Sequence, residues 1–486
     1  MSKKNKNNGM TRREYLKTSI FGATGLFMAP TIIPSSVIGK RAPSNNINIA
    51  QIGWGRIAVG HDLPGVLSDP GTRLIAACDV DLNRVNGANE WAKEFYNSED
   101  VQRPDDYVEV NTYQNYREML EEETDIDAVI ISTPDHAHIL PTIEAALAGK
   151  HIYLQKPHSL TVEEGRLMTD ILQRTGTIFQ IGSQQRATNP WPHFKRACEL
   201  VRNGRVGNLQ TIEIGLPYDP SGGNPEPQPV PEGLDYDAWL GTTPYVPYTE
   251  DRVHSEAGIV GRPGWLRCEN YSAGMITGWG AHHLDIAHWG MGTEYTGPIE
   301  VEAEAVFPPD DPNYDGLWDV HGDFRVEATY KNGVNMIVSD PEVFPNGIRF
   351  KGDEGWIFVT RGSGVVASDP DTGSVEDGPL QASSPNLLSE LGPDAFRISG
   401  KPDETHHHNW LRCIREQTTA TSAPAEVSHR STTACLISHI AMKLPRKLYW
   451  DPINEKFKND DEANAMLSRP QRYPYKTSQI PGLVTR

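Results

Sequence analysis

The run Gly53-Trp54-Gly55-Arg56-Ile57-Ala58, directly behind the β-branched stretch Ile47 to Ile52, constrains this chain more than any other feature. Gly-x-Gly-x-x-Ala between a strand and a helix has a mechanical meaning. The first glycine makes the tight turn, the second lets a pyrophosphate approach the backbone, and the small Ala58 lets helix pack on strand. The helix N-terminus then faces the phosphates. Gly53, Trp54, Gly55, Arg56 and Ile57 are therefore read as the phosphate-binding turn of a dinucleotide fold. Asp79 ends the next apolar run, Arg73 to Asp79, where a carboxylate accepts hydrogen bonds from the adenosine ribose and repels a 2′-phosphate. That favours NAD, with Arg84 keeping NADP as the lesser alternative.

The first half alternates strand and helix. Apolar runs at Ala128 to Ser132 and His151 to Leu154 read as buried strands, Leu140 to Ala148 as a helix closed by Gly149, and Thr161 to Glu164 as a capping box opening the next helix. Such alternation predicts an α/β class with a parallel, doubly wound sheet. Open sheets of this kind bind ligands beyond the carboxyl ends of their strands. Two stretches leave those ends: Ser132-Thr133-Pro134-Asp135-His136-Ala137-His138, and Gln155-Lys156-Pro157. Thr133, Pro134, His136, His138, Gln155 and Lys156 are accordingly assigned to the cofactor. A lysine at that edge can also donate a hydrogen bond to a substrate hydroxyl and help move its proton.

The second half has a different rhythm. Thr211 to Gly215, Glu300 to Val306, Phe324 to Tyr330 and Val334 to Val338 alternate apolar and polar residues, as strands of a mostly antiparallel sheet with one covered face do. The Pro/Gly-rich span Pro217 to Tyr248 and the polar span Arg361 to Thr405 read as lids or binding loops. Helices are expected at about His408 to Glu416 and Ser431 to Lys443. The expected divisions are a leader at 1–44, a dinucleotide-binding domain at 45–175, a substrate-binding α/β domain at 176–450 and a tail at 451–486.

The leader has its own chemistry. Six basic residues from Lys3 to Lys17 precede an apolar run, Ile20 to Met28, too short to span a bilayer. Arg12-Arg13 inside Thr-Arg-Arg-Glu-Tyr-Leu-Lys reads as a twin-arginine export signal, whose machinery carries proteins already folded. The formal net charge is −19, and the part beyond the basic leader is more acidic still. That excludes nucleic acid and anionic lipid as partners and leaves a neutral or cationic small molecule. The five cysteines are scattered and never in a C-x-x-C pair, so they indicate neither a zinc site nor a disulfide framework.

Taken together, GWGRIA, CDVD, STPDHAH, LQKP, FQIGSQQR and TGWGAHHLDIAHW resemble the Gfo/Idh/MocA oxidoreductases, and the resemblance extends from Ile47 to about Tyr475. It is closest to the exported, twin-arginine-led branch. It implies a Rossmann domain joined to an α/β domain whose open sheet backs the active site and forms an oligomer face, so a homo-oligomer, dimer or tetramer, is expected. It also implies a sugar, cyclitol or glycoside substrate and hydride transfer with NAD or, less favoured, NADP. By the same resemblance Lys156 and His282 are the catalytic pair and Asp285 lies near the substrate; Arg186, which follows the Gly-Ser-Gln-Gln segment, His283 and the aromatic Trp265 are placed in the same pocket as His282. Two positions depart from the family: Gln155 stands where a glutamate precedes the lysine, and Gly278 where an aspartate often precedes the histidine. Both departures remove carboxylates that could tune Lys156 and His282. His282, His283, Asp285 and His288, with His406 to His408, are read as helix histidines lining a sugar pocket rather than as a metal site. Trp191, Trp239, Trp265 and Trp279 are either sugar-stacking or packing residues.

Three activities fit this reading: oxidation of a carbohydrate hydroxyl, NAD-dependent glycoside cleavage through transient oxidation and elimination, and sugar binding without catalysis. Free NAD is scarce outside the cytoplasm, so a tightly held, recycled cofactor is expected.

Overall fold

A computed structural model describes residues 46–254, 261–362 and 378–483, and the statements below concern those residues. The expected leader and export signal lie outside them.

The apolar runs of the first half form one parallel sheet whose central strands are buried on both faces. Its strands are β1 (Ile47–Ile52), β2 (Thr72–Cys78), β3 (Asn111–Tyr113), β4 (Ala128–Ile131), β5 (His151–Leu154) and β6 (Phe179–Ile181). They lie in the order β3-β2-β1-β4-β5-β6, so strands are added first on one side of β1 and then, from β4, on the other, and the carboxyl ends of β1 and β4 frame a crevice. The sixth strand carries this sheet past the expected boundary at 175. Thr161 caps its helix as expected, accepting a hydrogen bond from the Glu164 amide at 3.2 Å.

The second sheet adds β7 (Leu209–Gly215), β8 (Glu300–Ala305), β9 (Phe324–Thr329), β10 (Asn335–Ser339), β11 (Gly347–Gly352), β12 (Gly355–Val359), β13 (Leu380–Ala382), β14 (Leu448–Asp451) and β15 (Lys456–Phe457). Its order is β13-β12-β11-β7-β10-β9-β8-β14-β15, and every pairing is antiparallel except β7 with β10. In β8, Val301 and Ala303 are buried while Glu302 and Glu304 are exposed, the alternation of a sheet covered on one side. The covered face packs against the helices Pro192–Arg202, Gly280–Met291 and Ala425–Lys443.

Several elements differ from the expectation. The β11–β12 hairpin lies where no strand is expected, and the polar span after Arg361 supplies β13. The helix expected from about His408 begins at His406, capped by Thr405, whose hydroxyl accepts from the His408 amide, so the three histidines occupy its first turn. The last long helix starts at Ala425, ahead of the expected Ser431. The tail turns back onto the first sheet, where Ile480 joins its core.

Candidate active site

A cleft of about 960 Å³ opens at the carboxyl ends of β1, β2, β4 and β5 and continues to the helix Gly280–Met291. At one end lies the glycine turn. Gly53 has φ +87°, and a Cβ there would lie 2.8 Å from the Ser132 carbonyl oxygen, so no side chain fits. At Gly55 a Cβ would meet nothing within 4 Å, which leaves an open cradle for a pyrophosphate. The residues present therefore fit a dinucleotide. Arg56 and Ile57 line this cradle. Trp54 does not: it is buried, its ring edge rests on Trp91, and its amide donates to Asp79 Oδ2 at 2.6 Å. Asp79 Oδ1 accepts from the Asp81 amide at 2.9 Å. Burial pushes the Asp79 pKa up despite these bonds and nearby Arg84. Arg84 lines the cleft and lies 3.6 Å from Asp81.

The span after β7 forms a lid over this end. The Asp235 amide donates to the Val80 carbonyl at 2.9 Å and the Leu82 amide to the Gly233 carbonyl at 3.0 Å. His254 Nε2 lies 3.1 Å from Asp81 Oδ2. Leu234, Ala238 and Trp239 of this span, and Tyr475 of the tail, line the cleft.

Thr133, Pro134 and His136 also line it, with His136 Nε2 2.7 Å from the Trp239 carbonyl oxygen. His138 faces away: its ring nitrogens lie 2.8 Å from the Pro157 carbonyl and 3.1 Å from that of Thr133. It shapes the loop and, unlike Thr133, Pro134 and His136, does not line the cleft to which it was assigned.

The reacting end is built where β5 stops. Lys156 Nζ donates to the Gly278 carbonyl at 3.0 Å, joining the first sheet to the turn before the helix that carries His282. Both Lys156 and His282 line the cleft. Burial, Arg361 and Lys156 hold the His282 pKa well below its usual value, so the ring is neutral. Gln155 Nε2 donates to Asp62 Oδ1 at 2.8 Å, and Ser132 Oγ donates to Asp62 Oδ2 at 2.8 Å. Burial works to raise the Asp62 pKa, but hydrogen bonds from His407 and His61 outweigh it and hold the carboxylate well below its usual range. A glutamate at 155 would set two carboxylates against each other, so this neighbourhood requires the amide.

Sequence reasoning missed four residues that the fold brings here. Asp135 is buried and lines the cleft beside Lys156 and Arg262. Burial pushes its pKa up to about 7, against the opposing pull of Lys156 and a hydrogen bond with Ser272. Its signal was available, since it stands inside the stretch already assigned to the strand end. Arg262 and Arg361 carried no signal. Arg361 lies over the rings of Trp191 and Trp279, at 4.4 and 4.6 Å from their centroids, so those two tryptophans hold an arginine. Asp62 is the fourth; with His61 and His407 it places three ligand-type atoms within 4.8 Å of one another. His407 and His408 thus meet the helical segment behind the glycine turn, at Asp62 and Ser68, while His406 bonds to Tyr153 and Gln180.

Three expected substrate contacts lie outside the cleft. Arg186 grips Asp285 through two hydrogen bonds of 2.6 and 2.9 Å and Glu294 through one of 2.8 Å, all beneath the site. The two charges satisfy each other, which is why neither reaches a ligand. His283 Nε2 lies 2.7 Å from Asn346 Oδ1, on the far side of its helix. Trp265 lines the cleft as expected.

Comparison with known proteins places this geometry. The family described as "Oxidoreductase family, NAD-binding Rossmann fold" (Gfo/Idh/MocA) matches residues 47–183, and its "C-terminal alpha/beta domain" counterpart matches residues 221–477. The scyllo-inositol 2-dehydrogenase (NAD(+)) of Bacillus subtilis is 28% identical over 167 residues, covering 33% of this chain and 42% of that protein. A glycosyl hydrolase family 109 protein of Shewanella pealeana is 28% identical over 179 residues, covering 34% of this chain and 38% of that protein. The chain thus spans less than half the length of these relatives. The WlbA dehydrogenase of Chromobacterium violaceum, solved with NADH and UDP-GlcNAcA, shares the fold with a TM-score of 0.56 at 18% identity, over 84% of this chain and 96% of that one.

Proposed function

The chain belongs to the Gfo/Idh/MocA oxidoreductase family, and from that premise we propose that it is an exported enzyme oxidising a ring hydroxyl of a sugar, cyclitol or glycoside with a retained NAD. The observation that carries this reading is the continuity of one cleft from the Gly53–Gly55 cradle to Lys156 and His282, roofed by the lid. When bound, the dinucleotide supplies the acceptor for a hydride. The protein supplies the rest. Lys156, held by the Gly278 carbonyl at the edge of the cleft, is positioned to meet the substrate hydroxyl. Neutral His282 offers a second polar contact, and Trp265 with Trp239 supplies flat apolar walls suited to a sugar face.

Retention of the nucleotide is supported by the lid, whose backbone and His254 tie it to the loop after β2. NAD is favoured over NADP by Asp79, a second carboxylate at Asp81 and the lesser share of Arg84, which is drawn to Asp81. Export is supported by the paired Arg12 and Arg13, and self-association by the uncovered face of the second sheet.

The test uses purified protein with a panel of free sugars and aryl glycosides, scoring the products. Formation of a keto sugar with the glycosidic bond intact supports the proposal. Release of the aglycone would replace it by glycoside cleavage, and no change in any substrate would leave a sugar-binding protein.

A further inference from the structure

A carboxylate taken out of water is ordinarily paired with a cation or bound to a metal. Asp62 is such a group, with a fully buried side chain. Among the described residues its ion-pair partners are His61 and His407, with no lysine or arginine. Gln155 Nε2 and Ser132 Oγ each donate to it at 2.8 Å. Both donors are neutral, so they hold the carboxylate in place without balancing its charge.

The spacing of the three side chains is informative. Asp62 Oδ1 lies 3.3 Å from His407 Nε2 and 3.5 Å from His61 Nδ1, and the three atoms fall within 4.8 Å of one another. Charge-assisted N–H···O bonds are shorter, about 2.7–2.9 Å. Nitrogen and oxygen ligands at about 2.0–2.2 Å from a tetrahedral zinc ion stand roughly 3.3–3.6 Å apart, close to what is seen here. The backbone is shaped for the arrangement. Ala58–Asp62 winds as a π-helix, a local form that recurs at functional sites and here presents His61 and Asp62 together. In the helix Leu63–Leu67 that follows, a Cβ on Gly65 would overlap the His407 ring. Glycine weakens a helix, and at this position it makes room for that imidazole. The Tyr153 ring packs on His407 as well, with centroids 4.8 Å apart.

We propose that His61, Asp62 and His407 form a binding site for a divalent transition-metal ion of the zinc class. Two imidazole nitrogens and one carboxylate oxygen suit such an ion, whereas magnesium and calcium favour oxygen ligands throughout. His61 lines the cleft beside Gln155 and Gln184, and its side chain is 40% exposed. The ion enters from that side, and His61 is the ligand with freedom to close on it. Gln155 and Ser132 serve as the hydrogen-bonding shell that orients the ligating carboxylate. Bound there, the ion ties the helix His406–Glu416 to the segment behind the glycine turn, joining residues 345 positions apart at the edge of the nucleotide cradle. The site does not depend on the oxidation proposed above, because its ligands are neither Lys156 nor His282.

The test strips untagged protein with EDTA, dialyses it against zinc or cobalt chloride, desalts it and measures bound metal by mass spectrometry. The parent should keep about one ion per chain, and the cobalt form should show the intense visible bands of a tetrahedral site. His61→Ala and His407→Ala should each reduce the retained ion to about a tenth or less. His408→Ala, whose ring meets Ser68 instead, should retain it. Zinc should also raise the thermal midpoint of the parent and leave that of His61→Ala unmoved, a readout suited to this variant because the ring it removes is partly exposed. A parent that keeps no ion after desalting would overturn the proposal. So would metal content that survives both His61→Ala and His407→Ala, or that falls equally in His408→Ala, since either result marks an adventitious ion only. Metal binding that follows the expected pattern in a protein inactive on every sugar would sink the oxidation reading and leave this site standing.

Discussion

Lys156 Nζ donates to the backbone carbonyl of Gly278 at 3.0 Å, a hydrogen bond that couples the end of β5 to the turn preceding His282. A carbonyl acceptor orients the lysine while adding no charge of its own. Lys156→Ala should therefore lower kcat by about 10²–10⁴-fold while the dinucleotide stays bound, since the cradle at Gly53 and Gly55 is untouched. Steady-state kinetics with nucleotide content measured on the same preparation check this.

The lid is expected to set how firmly nucleotide is held. His254→Ala removes the 3.1 Å contact with Asp81 and should hasten loss of nucleotide during gel filtration, with the unfolding free energy within about 0.5 kcal/mol of the parent. Nucleotide absorbance before and after the column reads the outcome.

Arg186 and Asp285 should behave as core residues. Asp285→Ala leaves a buried guanidinium half-compensated by Glu294 and is expected to cost about 3 kcal/mol of stability. KM of the fraction that remains folded should be unchanged. Chemical denaturation combined with kinetics separates this from a substrate-binding role, which would raise KM at little cost in stability.

Two carboxyl groups move stability with pH in opposite directions. Burial works to raise the Glu426 pKa from its ordinary 4.5, but Arg166 and Arg430 outweigh it and hold it at about 2. The folded pKa lies below the unfolded one, so this contribution is full above about pH 4.5 and is lost as pH falls towards 2. Glu426→Gln should flatten that acid limb of denaturant midpoint against pH. Asp135 has the opposite sign. Its folded pKa, about 7, lies above the ordinary 3.8, so the native state binds the extra proton and stability falls as pH rises between those values. Asp135→Asn should consequently stabilise the protein above pH 7, on the order of 1.4 kcal/mol for each tenfold difference in proton affinity between the folded and unfolded carboxyl. Denaturant midpoints of parent and variant, measured on either side of neutrality, check the sign.

The parallel sheet was legible because its signals are local: β-branched runs, a glycine turn and a helix cap each declare themselves within a few residues. Lys156, Asp79 and the strand-end stretches followed from where such sheets bind ligands. Asp62, Arg262 and Arg361 were not legible, because their roles arise only when segments far apart in the chain meet. His407 reaches Asp62 across 345 positions, for instance. The same cause misassigned Arg186 and Asp285: in sequence both are polar residues near candidate motifs, and only packing shows that each is the other's partner. His138 illustrates a third case, a histidine at the right strand end whose two ring nitrogens are taken up by carbonyls of its own loop.

Retention of the nucleotide and oxidation of the sugar are tested together by a single-turnover absorbance experiment on protein purified without added cofactor and mixed with excess glycoside. The near-ultraviolet band of a reduced nicotinamide should appear at once, in proportion to protein, and stay with the protein through gel filtration. A protein that emerges without nucleotide, and oxidises sugar only while free NAD is supplied and exchanged, would contradict a retained and recycled cofactor.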